Sequence, residues 1–187
     1  INNNMFKKIG LFLSLAAVLV VATPAFAAEF IAPEKDNKQG NIVLNQVESH
    51  KNVYVVGASI TNNSDVLGDL FAAGGKIVVA GTVEQDVMVA GGDVSLEASI
   101  GGDVRAAGGD VRIRSQIGGD VLVGAGNVIF DEKSLVGGDL YIGAGNVTID
   151  GPVKGALKIG GGEVTINSIV SGPVEVWSDG SLTFGPK

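Results

Sequence analysis

From Asn52 onward the apolar residues of this chain recur on a 17-residue beat. With the Asp of Gly-Asp as position one, units begin at Asn52, Asp69, Asp86, Asp103, Asp120, Asp139, Ala156 and Pro173. Every interval is 17 residues except the step from Asp120 to Asp139, which is 19 and carries two extra residues near Glu132-Lys133. Position two holds Val53, Leu70, Val87, Val104, Val121, Leu140, Leu157 and Val174, and position four holds Val55, Ala72, Val89, Ala106, Val123, Ile142, Ile159 and Val176. Position nine runs Ile60, Ile77, Val94, Val111, Val128, Val147 and Val164. Position eleven runs Val79, Leu96, Ile113, Phe130, Ile149 and Ile166, with Asn62 the exception, and position fifteen runs Val66, Val83, Ile100, Ile117, Val136, Val153 and Val170. Residues two apart share one face of a strand. Each unit therefore predicts three short strands that send two, two and one aliphatic side chains inward.

Corners such as Ala90-Gly91-Gly92 and Gly143-Ala144-Gly145 separate these strands. Glycine is expected there because it accepts φ > 0 and lets successive turns approach closely. Three strands and three corners per unit predict an all-β fold, a single-stranded triangular parallel β-helix of about eight 17-residue coils over residues 52–187. A flat hairpin array fits less well, because identical positions recur in every unit without alternation between successive strands. Coils stacked at about 4.8 Å would give a rod roughly 38 Å long. Each buried aliphatic contributes on the order of 1.5–3 kcal/mol, so five per coil build a continuous core that no single coil could sustain.

The segment before the repeat reads differently. Lys7 and Lys8 precede an apolar run from Ile9 to Ala22, then Thr23-Pro24 and Ala25-Phe26-Ala27, so residues 1–27 are expected to be a signal peptide with a helical apolar stretch. Residues 1–4 lie before the first methionine, Met5, and an assumed translation start upstream of it would account for them. The competing reading is an uncleaved membrane anchor, which wants about 20 apolar residues. That segment is the expected membrane contact, and only if it is retained. Residues 28–51 are polar and charged apart from Ile42-Val43-Leu44, and read as a linker or N-terminal cap.

Composition narrows the chemistry. The chain has 29 glycines, one histidine and no cysteine, which excludes disulfides and a Cys/His zinc site. Its net charge is −7, and cleavage after residue 27 would remove two lysines and no acids, giving −7 − 2 = −9. Nucleic acid is a poor partner for such a surface. His50 lies in the linker, so a Ser/His/Asp triad inside the rod is excluded. The Gly-x-Gly matches are corners of the repeat and not phosphate loops. Only Thr148 and Thr165 are stacked threonines, too few for an ice-binding ladder. No cofactor is expected.

Three constellations remain. Asp69, Asp86, Asp103, Asp120 and Asp139 should stack at one corner, and Asp93, Asp110, Asn127 and Asn146 at another. Calcium is one reading of such ladders, yet the spacing is not the nine-residue calcium motif, and hydrogen bonding to turn amides accounts for Asp and Asn alike. Arg105, Arg112 and Arg114 could hold an acidic sugar; Glu97, Arg114 and Asp131, all at position twelve, are expected to form a surface ion ladder instead. Position three faces outward yet begins with Tyr54, Phe71 and Met88, an apolar stripe that marks either a contact surface or a site covered by Ile42-Val43-Leu44 folding back.

Coils reading Gly-Asp-Val/Leu-x-Val/Ala-Ala-Gly-Gly-x-Val-x-Ile, as at 68–79, 102–113 and 119–130, resemble the bactofilins, a polymer-forming cytoskeletal family. The resemblance covers residues 52–184 and implies a right-handed triangular β-helix that polymerises end to end without nucleotide. Those proteins are cytoplasmic or sit on the inner face of the membrane, and the export signal here departs from that pattern. Physical reasoning also favours polymerisation, because uncapped β-helix ends present unpaired strands over an apolar core. The expected function is an exported, non-enzymatic scaffold, in the periplasm, on the cell surface or outside the cell, that self-associates at the envelope. Trp177, Leu182 and Phe184 on the last coil, with Tyr54, Phe71 and Met88 on the flank, are the expected self-association residues. The alternatives are a carbohydrate-binding or carbohydrate-active surface β-helix, with cell-wall or surface polysaccharide as partner, and a calcium-stabilised adhesion repeat.

Overall fold

The computed structural model describes residues 28–33, 37, 39–45 and 52–185; the expected export signal and His50 lie outside them. The described chain is a parallel β-solenoid with no helix. Two short strands come first, β1 (Ala28–Ile31) and β2 (Asn41–Leu44). The long strands are β3 (Asn52–Asn62), β4 (Leu70–Val79), β5 (Val87–Leu96) and β6 (Val104–Ile113). After β7 (Gln116–Ile117) come β8 (Val121–Phe130), β9 (Leu135–Val136), β10 (Leu140–Ile149) and β11 (Leu157–Ile166). The last described strands are β12 (Val174–Ser178) and β13 (Leu182–Phe184).

Each ten-residue strand covers two flanks. In β6, Val104 and Ala106 are buried while Arg105 and Ala107 are exposed; after Gly108-Gly109 the alternation restarts one step out of phase, with Val111 and Ile113 buried. A slip of one residue reverses which side faces in, so the strand turns a corner without leaving the ladder. The third flank is one or two residues wide, with position fifteen pairing from Val66 through Val83, Ile100, Ile117, Val136 and Val153 to Val170. Register is constant throughout: Val53 pairs with Leu70, Leu70 with Val87, and so on to Leu157 with Val174. The five expected inward columns form one buried core, and Phe130 is its largest fully enclosed side chain at 0% exposure. The two extra residues, Glu132 and Lys133, bulge at a corner closed by the Ser134 amide donating to the Asp131 carbonyl.

Three expectations need correction. Glycine's φ > 0 is not what the repeat uses, since among the described residues only Gly40 has a positive φ, 62°. The corners need glycine for proximity: a Cβ on Gly74 would lie 2.2 Å from the Gly57 carbonyl oxygen one coil below. Second, Ile42-Val43-Leu44 does not cover the outward stripe. It pairs with residues 60–62 at the end of β3, placing Ile42 and Leu44 in the core. With β1, which pairs along Asn52–Val55, it adds a rung ahead of the eight expected coils. Third, position thirteen is a sixth inward column, where Ser64, Ser115 and Ser134 are buried at a corner.

Candidate functional site

The Gly-Asp signature is a ladder of carboxylates holding the coils together. Asp86 Oδ1 accepts the Asp103 amide at 2.8 Å, Asp103 Oδ1 the Asp120 amide at 2.9 Å, and Asp120 Oδ1 the Asp139 amide at 2.7 Å. Asn52 begins the series by accepting the Asp69 amide at 3.0 Å, and Asp139 accepts the Ala156 amide at 2.8 Å. Ala156 has no acceptor to offer the next coil, but that coil begins with Pro173, which has no amide hydrogen to satisfy. The glycine before each Asp has a steric cause. A Cβ on Gly119 would sit 2.3 Å from Asp103 Oδ1, and one on Gly138 2.1 Å from Asp120 Oδ1. Gln85 is the exception, and the bond beside it, Asp86 amide to Asp69 Oδ1, is the longest of the series at 3.2 Å.

The outer oxygens have partners too. Asp69 Oδ2 accepts from Asn52 Nδ2 at 3.0 Å, and Arg105 lies 3.3 Å from Asp103 Oδ2 and 3.9 Å from Asp86 Oδ2. The Tyr141 hydroxyl donates to Asp139 Oδ2 at 3.2 Å, and this bond is the main reason the phenol titrates above its ordinary value. At the second corner Asn127 Nδ2 donates to Asp110 at 2.6 Å and Asn146 Nδ2 to Asn127 at 2.7 Å. The first ladder therefore bonds the turn amides as expected, whereas the second links side chain to side chain from coil to coil.

The three arginines do not converge. Arg105 stands on the first flank with the Asp ladder, whereas Arg112 and Arg114 stand on the second. Arg114 Nε lies 3.3 Å from Asp131 Oδ2 and its Nη1 3.9 Å from Glu97, which is the expected ion ladder. The Asp131 carboxyl is held below its usual range, first by the Lys133 amide donating to it and then by Arg114. Arg112 lines a separate shallow depression of about 360 Å³ with Lys76, Asp93, Ser95, Asp110 and Asn127.

The outward stripe is real and longer than expected. Phe30 of β1 joins it, 78% exposed, and its ring stacks on Tyr54 at 4.7 Å, which stacks on Phe71 at 4.5 Å with planes 3° apart. Pairing continues the column through Met88, Arg105, Leu122, Tyr141, Lys158 and Glu175. Both faces of Tyr54 are covered, so it offers a sugar an edge and no stacking platform.

On the last described coil, the inward columns are exposed. Val174, Leu182 and Phe184 continue positions two, nine and eleven, yet they are 44%, 43% and 64% exposed. Trp177 differs from them. It pairs with Gly160 at position five, and alternation from Val174 and Val176 turns it outward onto the first flank, 62% exposed. The six expected self-association residues thus divide into an end pair, Leu182 and Phe184, and a flank group, Tyr54, Phe71, Met88 and Trp177. Comparison of the chain with protein-family models, curated proteins and solved structures found no match in any of the three.

Proposed function

We propose that this protein is an exported, non-enzymatic scaffold whose rods join end to end at the cell envelope, as a right-handed triangular β-helix of the kind the bactofilin resemblance implies. The observation that carries this reading is the exposed terminal coil. Leu182 and Phe184 lie in register with the buried columns of Val164 and Ile166, so a further coil placed on them would find its core positions already set. The outer edges of β12 and β13, paired with β11 on one side alone among the described residues, are a template for another strand. The non-enzymatic part is supported by where the polar groups point: the position-one Asp ladder is engaged by the repeat's own amides, Asp110, Asn127 and Asn146 by one another, and Arg105 and Arg114 by neighbouring carboxylates. The signal-like residues 5–27 support export.

Sedimentation velocity and negative-stain microscopy of the purified protein test this. The wild type forms filaments that lengthen with concentration, and Phe184→Glu or Leu182→Glu shortens or abolishes them with circular dichroism unchanged. A wild type that stays monomeric at high concentration overturns the proposal, as do glutamate variants that polymerise normally.

A further inference from the structure

Beside the outward stripe on the first flank runs an apolar groove of about 530 Å³, lined by Met88, Ala90, Arg105, Ala107, Leu122 and Gly124. Its floor follows position five, which goes from Ala90 and Ala107 to Gly124, Gly143 and Gly160 and ends at Trp177. The three glycines have no internal purpose. A Cβ on any of them would meet no heavy atom within 4 Å, and none has a positive φ. They contrast with the corner and Gly-Asp glycines, where a Cβ collides with the coil below. Glycine in a strand weakens it, so a flank kept this flat with an exposed indole at its end has the shape of a surface meeting another surface.

We infer that two copies of this chain pair side by side and antiparallel across this flank, each Trp177 lying in the other copy's groove over Ala107. The inference rests on the self-association proposed above but does not need the end contact. A twofold axis lying across the flank keeps each column facing itself and reverses coil order. With Trp177 over Ala107, the fourth coil faces the eighth, and Gly143 of the sixth meets its own copy at the axis.

Charge agrees with that register at each facing pair off the axis. Glu175 falls opposite Arg105, and Lys158 opposite the uncharged Leu122. The acid column stops at Asp139, so Ala156 and Pro173 are what face Asp120 and Asp103. Among the charged residues of these columns, Asp139 is the one that meets its own copy, beside Tyr141, whose hydroxyl already donates to it. The shared strip is five coils, about 24 Å long, and two side-chain columns wide. That is well under the roughly 1,200 Å² of a stable complex. Pairing of isolated rods is therefore weak, and repetition along filaments converts it into bundling through avidity.

The chain has no cysteine, so single-cysteine cross-linking reads the register directly. The Phe184→Glu background separates this contact from the end contact. Upon mild oxidation, Gly143→Cys forms a covalent dimer by itself. Gly124→Cys alone and Gly160→Cys alone do not, and a mixture of those two does. In filaments, Arg105→Glu lowers bundle width to single rods and the exchange Arg105→Glu/Glu175→Arg restores it, with the circular dichroism of the folded solenoid retained in both although each change also removes an ion pair within the chain. Absence of cross-linking at Gly143→Cys, self-linking of Gly124→Cys equal to it, or failure of the charge exchange to restore bundles overturns the inference. Filament loss in the wild type with cross-linking intact would instead refute the end-to-end reading alone.

Discussion

Gly119→Ala and Gly124→Ala are the same chemical change five residues apart, and the structure assigns them opposite signs. A methyl at residue 119 would sit 2.3 Å from Asp103 Oδ1 and 2.9 Å from the Gly102 carbonyl carbon and oxygen. Asp103 must swing away and release the Asp120 amide, now bonded at 2.9 Å. Losing one hydrogen bond costs about 0.5–1.5 kcal/mol. Moving the carboxylate off its rotamer adds about 0.5–1.5 kcal/mol, and crowding of the backbone about 1–3 kcal/mol. Against this stands about 0.4–1 kcal/mol gained when Gly becomes Ala without strain. Gly119→Ala is therefore expected to destabilise by roughly 1–6 kcal/mol on balance, the hydrogen-bond, rotamer and crowding costs outweighing that gain. A methyl at residue 124 meets nothing within 4 Å, so only the gain remains. Urea unfolding followed by circular dichroism, in the Phe184→Glu background to remove assembly, measures both. Equal effects of the two substitutions would refute the steric account of the Gly-Asp motif. Near-additivity of Gly119→Ala with Asp103→Ala would show that the carboxylate is not what the methyl displaces.

Asp103→Asn should unfold close to wild type, since Asn52 already performs the acceptor role, while Asp103→Ala loses about 1 kcal/mol in the same urea assay. Phe130→Ala should cost about 3–5 kcal/mol by opening a cavity between Ile113 and Ile149, whereas Phe184→Ala, 64% exposed, should leave monomer stability within about 0.5 kcal/mol. The Asp131 carboxyl is depressed by the Lys133 amide and Arg114, so its stabilisation is present above the unfolded carboxylate range and is lost as pH falls through the folded value. Urea midpoints of the wild type and Asp131→Ala should accordingly differ at neutral pH and converge in acid.

The core was legible because a solenoid has one register: a residue at position two, four, nine, eleven or fifteen meets its own kind above and below, and a 17-residue period states this outright. The sixth column was legible too, in the small residues Ser64, Gly81, Ala98, Ser115, Ser134, Gly151 and Ser168, but short polar side chains do not announce burial. Trp177 could have been separated from Leu182 and Phe184 by counting alternation from Val174. Three features were not legible. Phe30 precedes any Gly-Asp signature and joins the stripe across an interval of 24 residues, from Phe30 to Tyr54. Glycine's role at Gly119, steric exclusion by the carboxylate of the coil below, requires coordinates, because a sequence cannot distinguish it from a need for φ > 0. The idle glycines at 124, 143 and 160 resemble the necessary ones until a Cβ is placed on each.

The claim that rods continue one another through the terminal coil is tested most directly by amide hydrogen exchange in β12 and β13 as protein concentration rises. The amides of Val174, Val176, Leu182 and Phe184, which point away from β11, are expected to become slow to exchange as filaments form, approaching those of β11, and to stay fast in Phe184→Glu. Exchange that remains fast at those four amides in assembled wild-type protein would contradict the claim.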